Sequence, residues 1–165
     1  MNAINPANVT FGLDTFGDMT VKLDGTPDSA AQVIRNIVEQ AKLADQLGLA
    51  NFNIGEHHRD DFAVSAPDSV LAGIATVTEN IILGTGVTVL SSDDPVRVFQ
   101  RFSTVDALSN GRAEITAGRG SFIESFPLFG FSLDDYNILF EEKLQFLSEL
   151  IKETPVNWSG SIRTP

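Results

Sequence analysis

The sequence predicts an α/β fold built on a parallel sheet, and three observations predict it. Short apolar runs rich in β-forming residues alternate four times with longer runs that carry apolar residues at helical spacing. The longer runs are bounded by helix signals: a capping Ser or Asp, an early Pro, a terminal Gly or Asn-Gly. The chain has 165 residues, 42% of them apolar and twelve of them Phe, so it can bury a core and is expected to form one domain over residues 1–165. Such alternation places strands side by side under covering helices, with right-handed connections. Four βα units make half of an eight-stranded barrel or a small open sheet, and periodicity does not choose between them.

The elements follow in order. VTFGLD, Val9 to Asp14, reads as a buried strand. Asp28 or Ser29 caps a helix whose inward face is Ile34, Ile37, Val38, Ala41 and Ala44, and Gly48 stops it. NFNI is the second strand. SAPDSVLAGIATVT is the second helix, with Pro67 in its first turn. NIILGTGVTVL, Asn80 to Leu90, reads as one continuous strand, and DDPVRVFQRFSTVDALSNG as a helix begun near Pro95 and stopped at Asn110-Gly111. RAEITAG is the fourth strand. A loop follows Pro127, and then SLDDYNILFEEKLQFLSELIKE is a helix with a capping box at Ser132 and Asp135 and a stripe of Phe140, Leu144, Leu147 and Ile151. PVNWSGSIRTP reads as a short hairpin turning at Gly160.

Charge excludes some functions. The net charge of −11, from 22 acids against 11 bases, repels nucleic-acid phosphates and anionic lipid. No apolar run approaches the roughly 20 residues of a membrane span. With no cysteine there is neither a disulfide nor a thiolate metal site, which fits a reducing compartment. Met1 is followed by polar residues without the pattern of a signal peptide, so a cytoplasmic location is expected.

In parallel α/β folds ligands gather at the carboxyl ends of the strands. Four features fall there: Asp14-Thr15-Phe16, Glu56-His57-His58, Val87 to Ser92, and Gly118-Arg119-Gly120-Ser121. Both histidines of the chain stand together in NIGEHHRDD. In extended backbone their side chains point to opposite faces, so they do not share a metal ion, and neither H-x-H nor H-E-x-x-H is present. One inward imidazole working as a proton donor or acceptor is the functional reading; two imidazoles bonded to loop backbone is the structural one. In AGRGSF, Gly118 and Gly120 admit a ligand to the backbone while Arg119 and Ser121 suit phosphate oxygens, or the segment is a tight turn with a surface arginine. Gly84 and Gly86 within the third strand point to a flat ligand or an unusual peptide geometry, or to close strand–helix packing. Phe122, Phe126, Phe129 and Phe131 wall an apolar pocket or belong to the core.

GEHHRDDF, ILGTGVTVLSSDDPVRVFQRFSTVDALSNGR and the AGRGSF…ESFPLFGF block together resemble the bacterial-luciferase-like flavin-dependent monooxygenases, over nearly the whole chain. The resemblance implies a TIM-type (β/α) barrel that binds FMN at its carboxyl end. Its members take reduced flavin from a separate flavin reductase and use O2 to oxidise an organic substrate; some relatives use a deazaflavin. By position, His57 matches a histidine acting near the flavin, Glu56 the acid before it, and Arg119 the arginine that holds the flavin phosphate, with Gly118, Gly120 and Ser121 around it. A non-proline cis peptide is implied between Gly86 and Val87 under the flavin ring. Metal ligands are not implied. The substrate is expected to be small and hydrophobic, and a homo-oligomer is expected.

The chain is about half the family's length, so the expected structure is the first four βα units, a half barrel with two free strand edges and an uncovered core. The readings to be distinguished are a truncated flavin-dependent monooxygenase, a non-catalytic flavin-binding or assembly half barrel, and a metal-dependent barrel hydrolase, which the missing H-x-H disfavours.

Overall fold

A computed structural model describes residues 9–163. Four strands, β1 (Leu13–Thr15), β2 (Asn51–Ile54), β3 (Ile82–Thr85) and β5 (Ala113–Glu114), form an open parallel sheet in the order β1-β2-β3-β5. A second, two-stranded parallel ladder pairs β4 (Thr88–Val89) with β6 (Ala117–Gly118). The helices are α1 (Ala30–Gln46), α2 (Pro67–Ala75), α3 (Pro95–Ser109), α4 (Ser125–Phe129) and α5 (Tyr136–Leu150).

Helix boundaries follow the local signals. Ser29 caps α1 by accepting from the Gln32 N–H, and Asp94 caps α3 by accepting from Val96 and Arg97. Pro67 and Pro95 occupy first-turn positions, where a missing N–H costs nothing. Asn110, at φ 58°, ends α3 in the left-handed conformation that its short polar side chain tolerates.

The helices cover one sheet face. Phe52, Ile54 and Leu83 point beneath them and meet Val33, Ile37, Ala41, Leu71, Ile74, Val98, Phe102 and Val105 in one core. Full burial of each such Leu, Ile or Phe contributes about 1.5–3 kcal/mol. The other face differs from the uncovered apolar core that the sequence suggested. Register aligns Asp14, Asn53, Gly84 and Glu114 in one row across all four strands. Asn53 Nδ2 donates to Asp14 Oδ1 at 2.6 Å, and a Cβ on Gly84 would overlap the Asn53 side chain lying across it. The row at the middle of the uncovered face is therefore polar, made of carboxylates, a carboxamide and glycine, and Ile82, level with Asn51, is an exposed apolar residue of the same parity. Further exposed apolar groups sit beside the β1 edge, with Phe11 71% and Leu13 45% exposed.

Four boundaries depart from the sequence reading. The first strand lies at residues 13–15, not 9–14. The expected continuous third strand breaks after Thr85: a cis Gly86–Val87 peptide precedes β4, and a 3₁₀ turn, Leu90–Ser92, follows it. The fourth strand splits into β5 and β6 to serve the two ladders. Ser132 accepts from Asp134 and caps a 3₁₀ turn, Leu133–Asp135, ahead of α5 rather than forming a capping box on the helix. The buried face of α5 is Leu139, Lys143, Phe146 and Leu147, while Leu144 and Ile151 are exposed. The C-terminal hairpin is absent from the described residues. Residues 161–163 instead donate their backbone N–H groups to the Glu142 carboxylate, which with the Ser161 hydroxyl holds its pKa down at about 2; residues 164 and 165 lie outside the description.

The end of the sheet away from the strand tips is tied by two polar hubs. Asp45 accepts from the N–H groups of Glu79, Asn80 and Ile81 at 2.7–2.9 Å. Arg112 donates to the carbonyls of Ser109, Ala75, Thr78 and Ile81 and to the Thr78 hydroxyl. Arg112→Met should therefore destabilise the fold by about 3 kcal/mol, since it leaves several partly buried carbonyls without donors. Arg112→Lys should recover only part of that, lacking the planar fork. Urea denaturation checks both; an unshifted midpoint for Arg112→Met would remove the hub role.

Candidate active site

Backbone pairing brings the strand ends together. Gly55 N–H donates to Thr15 O at 2.8 Å, and Gly86 N–H donates to Ile54 O at 2.9 Å. The Glu56 carboxylate then spans two segments. One oxygen accepts from His58 Nε2 at 3.0 Å and the other from the Val89 N–H of β4 at 3.1 Å. Burial pushes the Glu56 carboxyl above its ordinary range, opposed by those two hydrogen bonds. The Thr85 and Thr88 hydroxyls pair at 2.8 Å across the break in the third strand.

These ends enclose a cavity of about 780 Å³, at the place where parallel α/β folds collect ligands. Glu56, His57, Gly86, Val87, Gly118, Arg119, Gly120 and Ser121 all line it. Sequence reasoning did not single out Phe62, Glu124, Ser125, Tyr136 or Phe140, which line it too. Phe62 and Tyr136 carry no local signal: each reaches the cavity by a chain reversal that periodicity does not encode.

His57 lies beneath an aromatic cover. It is 9% exposed, stacked on Phe62 at 4.0 Å between ring centroids, with the edges of Phe122 and Phe16 at 5.0 and 5.4 Å. Its Nδ1 and Nε2 are buried and make no hydrogen bond among the described residues. Burial lowers its pKa from the ordinary histidine value, against the pull of Asp18, Asp61 and Glu124. The imidazole is thus neutral at pH 7 and has a proton-accepting nitrogen to offer. Glu56 pairs with His58 and Val89 rather than with His57, so it holds backbone instead of orienting the imidazole.

The other end of the cavity is cationic. Arg119 is exposed, its guanidinium 4.9 Å from the centroid of the Phe140 ring, with no carboxylate in ion-pair reach among the described residues. Tyr136 Oη donates to Gly120 O at 2.8 Å and fixes the loop. The N–H groups of Gly120, Ser121 and Phe122 find no protein acceptor among the described residues. A Cβ on Gly118 would stand 2.5 Å from Val87 Cγ2, so glycine is what lets this loop approach β4. A guanidinium, a hydroxyl and free backbone donors suit an anionic group, and the adjoining floor of Gly86, Val87 and Val89 suits a flat apolar one. Among the described residues no three His, Asp or Glu side chains gather as a metal site, and no helix is long and apolar enough to cross a membrane.

Comparison with known proteins fits this geometry. An uncharacterized protein of Sinorhizobium fredii, y4vJ, is 36% identical over 137 residues, which is 82% of this chain and 39% of the relative. Limonene 1,2-monooxygenase of Rhodococcus erythropolis is 30% identical over 142 residues, 86% of this chain and 37% of the enzyme. The monooxygenase RslO1 from Streptomyces bottropensis superposes with a TM-score of 0.83 at 26% identity, covering 94% of this chain and 46% of that one. Two more distant structures share the fold. One is the oxygenating constituent of 3,6-diketocamphane monooxygenase from Pseudomonas putida, in complex with FMN, with a TM-score of 0.81 at 20% identity over 92% of this chain and 42% of that one. The other is a coenzyme F420 dependent tetrahydromethanopterin reductase from Methanopyrus kandleri, at 0.67 and 23% over 92% and 43%. The chain spans less than half the length of each of these proteins, and its open sheet corresponds to part of their barrel. The family model for luciferase-like monooxygenases matches residues 16–165, and the chain belongs to that family.

Proposed function

We propose that this chain carries the flavin-binding face of a flavin-dependent monooxygenase that uses O2 to oxidise a small hydrophobic organic substrate. One observation supports the reading above others: the eight residues that the resemblance assigns to catalysis or flavin binding line a single cavity, cationic at Arg119 and aromatic around His57, while Asp14, Thr15, Gly84, Phe126, Phe129 and Phe131 lie outside it. In this reading Arg119, Ser121 and the Gly120 and Ser121 N–H groups hold the phosphate of FMN, and Gly86, Val87 and Gly118 bear its ring. The chemistry that reduced flavin supplies when bound is two-electron activation of dioxygen for transfer of one oxygen atom to the substrate. His57, neutral and buried, accepts or returns a proton beside that ring, and Phe16, Phe62 and Phe122 keep water from it.

A separate reductase as the source of reduced flavin, a cytoplasmic setting and self-association belong to the same proposal. A deazaflavin is the alternative cofactor, in view of the F420-dependent structural neighbour. A non-catalytic flavin-binding half is favoured by one observation, the outer edges of β1 and β5, which are unpaired among the described residues, because part of the substrate wall would then come from another polypeptide segment.

Titration with FMN, followed by flavin fluorescence quenching, tests the reading. Saturable binding is expected, and Arg119→Ala should weaken it by about 1.5–3 kcal/mol through loss of a charge-assisted contact. Absence of FMN binding, with F420 binding in its place, would move the assignment to a deazaflavin. Binding without NADH-plus-reductase turnover would select the non-catalytic reading.

The His57 imidazole should titrate below the ordinary histidine value in a pH series of NMR spectra. Because its folded pKa is depressed, its contribution to stability is fully present above about pH 6.5 and is lost as pH falls through the folded value. His57→Gln should remove that component of the acid dependence in thermal melts, and an ordinary or raised His57 pKa would contradict the burial argument.

A further inference from the structure

The buried face of α5 contains a lysine. Lys143 is 5% exposed, and its ammonium donates to the carbonyl of Ser91 at 2.6 Å and lies 4.0 Å from the centroid of the Phe131 ring. It makes no ion pair among the described residues. The two carboxylates that face it are engaged elsewhere: Asp93 pairs with Arg101 of α3, and Glu142 accepts from residues 161–163. Burial accordingly lowers its pKa to about 8, with Asp93 and Glu142 opposing. A folded value below the unfolded one means that the charged form costs stability at neutral pH: the stability is fully present above about 10.5 and is lost as pH falls through about 8. A methionine of similar length would fill the space without that cost, so packing does not account for the charge.

Ser91 belongs to the 3₁₀ turn directly after β4, and Phe131 ends the loop that follows α4. Val87 and Val89, at the floor of the cavity, lie two to four residues upstream of Ser91, and Glu124 and Ser125, in its wall, begin the short α4 that the loop follows. The segment Val87 to Ser92 has few regular ladder bonds; Glu56 secures its N-terminal part at the Val89 N–H, and Lys143 secures its C-terminal part at the Ser91 carbonyl.

We propose that Lys143 is a positioning residue, whose ammonium, gripped between the Ser91 carbonyl and the Phe131 ring, fixes the cavity floor and wall in the geometry that binds the flavin. The proposal rests on the flavin reading of the cavity, and its test separates the two. Wild type, Lys143→Met and Lys143→Arg are titrated with FMN across the range from about pH 7 to about 9.5, with circular dichroism to confirm folding. Hydrogen-exchange protection of residues 87–93, corrected for intrinsic rates, is measured without flavin over the same range.

In wild type, FMN affinity should fall about tenfold as pH rises through about 8, since a charged donor is lost. Protection of residues 87–93 should fall with the same midpoint. Lys143→Met should show weak binding and low protection with no midpoint near 8, and Lys143→Arg should keep both to the top of the range. A Lys143→Met chain that binds FMN and protects the segment as wild type does, or that retains the midpoint, would overturn the proposal. If wild type binds no FMN, the flavin reading fails, while the exchange data still decide whether Lys143 holds the segment.

Discussion

The carboxylate of Glu56 joins two strand ends that backbone pairing leaves apart. The main sheet ends at Thr85, and the next two residues of extended chain pair with a different partner, β6. Toward β2, the β4 segment is otherwise held through its own chain and the Thr85–Thr88 hydroxyl contact, its ladder running to β6 on the other side. Glu56 supplies the bridge from the neighbouring strand end, accepting from Val89 and from His58 at once. Both hydrogen bonds are sheltered from water, where such contacts are strongest and where losing one partner leaves a costly buried charge. The floor of the cavity, the approach of the Gly118–Ser121 loop and the placement of His57 one residue further along all depend on this connection.

The same sheet has a face that no helix of the described residues covers, and its chemistry constrains what covers it. Asp14 and Glu114 carry carboxylates in the row that also holds Asn53. Two copies of the chain closing edge to edge would bring like charges into one enclosed layer, on top of a net charge of −11 each. A segment that pairs with β1 and β5 and carries donors or cations on its inner side meets no such penalty.

Much of this architecture was legible in the sequence, for identifiable reasons. Caps at Ser29 and Asp94, first-turn prolines at 67 and 95 and the Asn110-Gly111 stop are local signals, and the helices begin and end there. The four strand-end motifs converge because parallel βα topology requires it. What escaped was set by tertiary context. The apolar run from Asn80 to Leu90 gives no hint of which ladder each half joins, so it reads as one strand, although its glycines pointed to an unusual peptide geometry and the resemblance implied the cis Gly86–Val87 peptide found at the break. The face of α5 was misread because Lys143 interrupts the apolar pattern at a buried position, and a charge in a stripe reads as solvent-facing. Glu56 was matched to the family's acid before the histidine, a position that says nothing of its partners; extended backbone directs it toward His58, its i+2 neighbour on the same side, and toward Val89.

A crystal structure of the chain grown with FMN decides whether these strand ends hold a flat, phosphate-bearing ring. The ring is expected against Val87 and Val89, with the phosphate within hydrogen-bond distance of Arg119 and Ser121. FMN bound elsewhere on the surface, or a cavity that excludes it while the loop keeps its present geometry, would rule out the proposed flavin site.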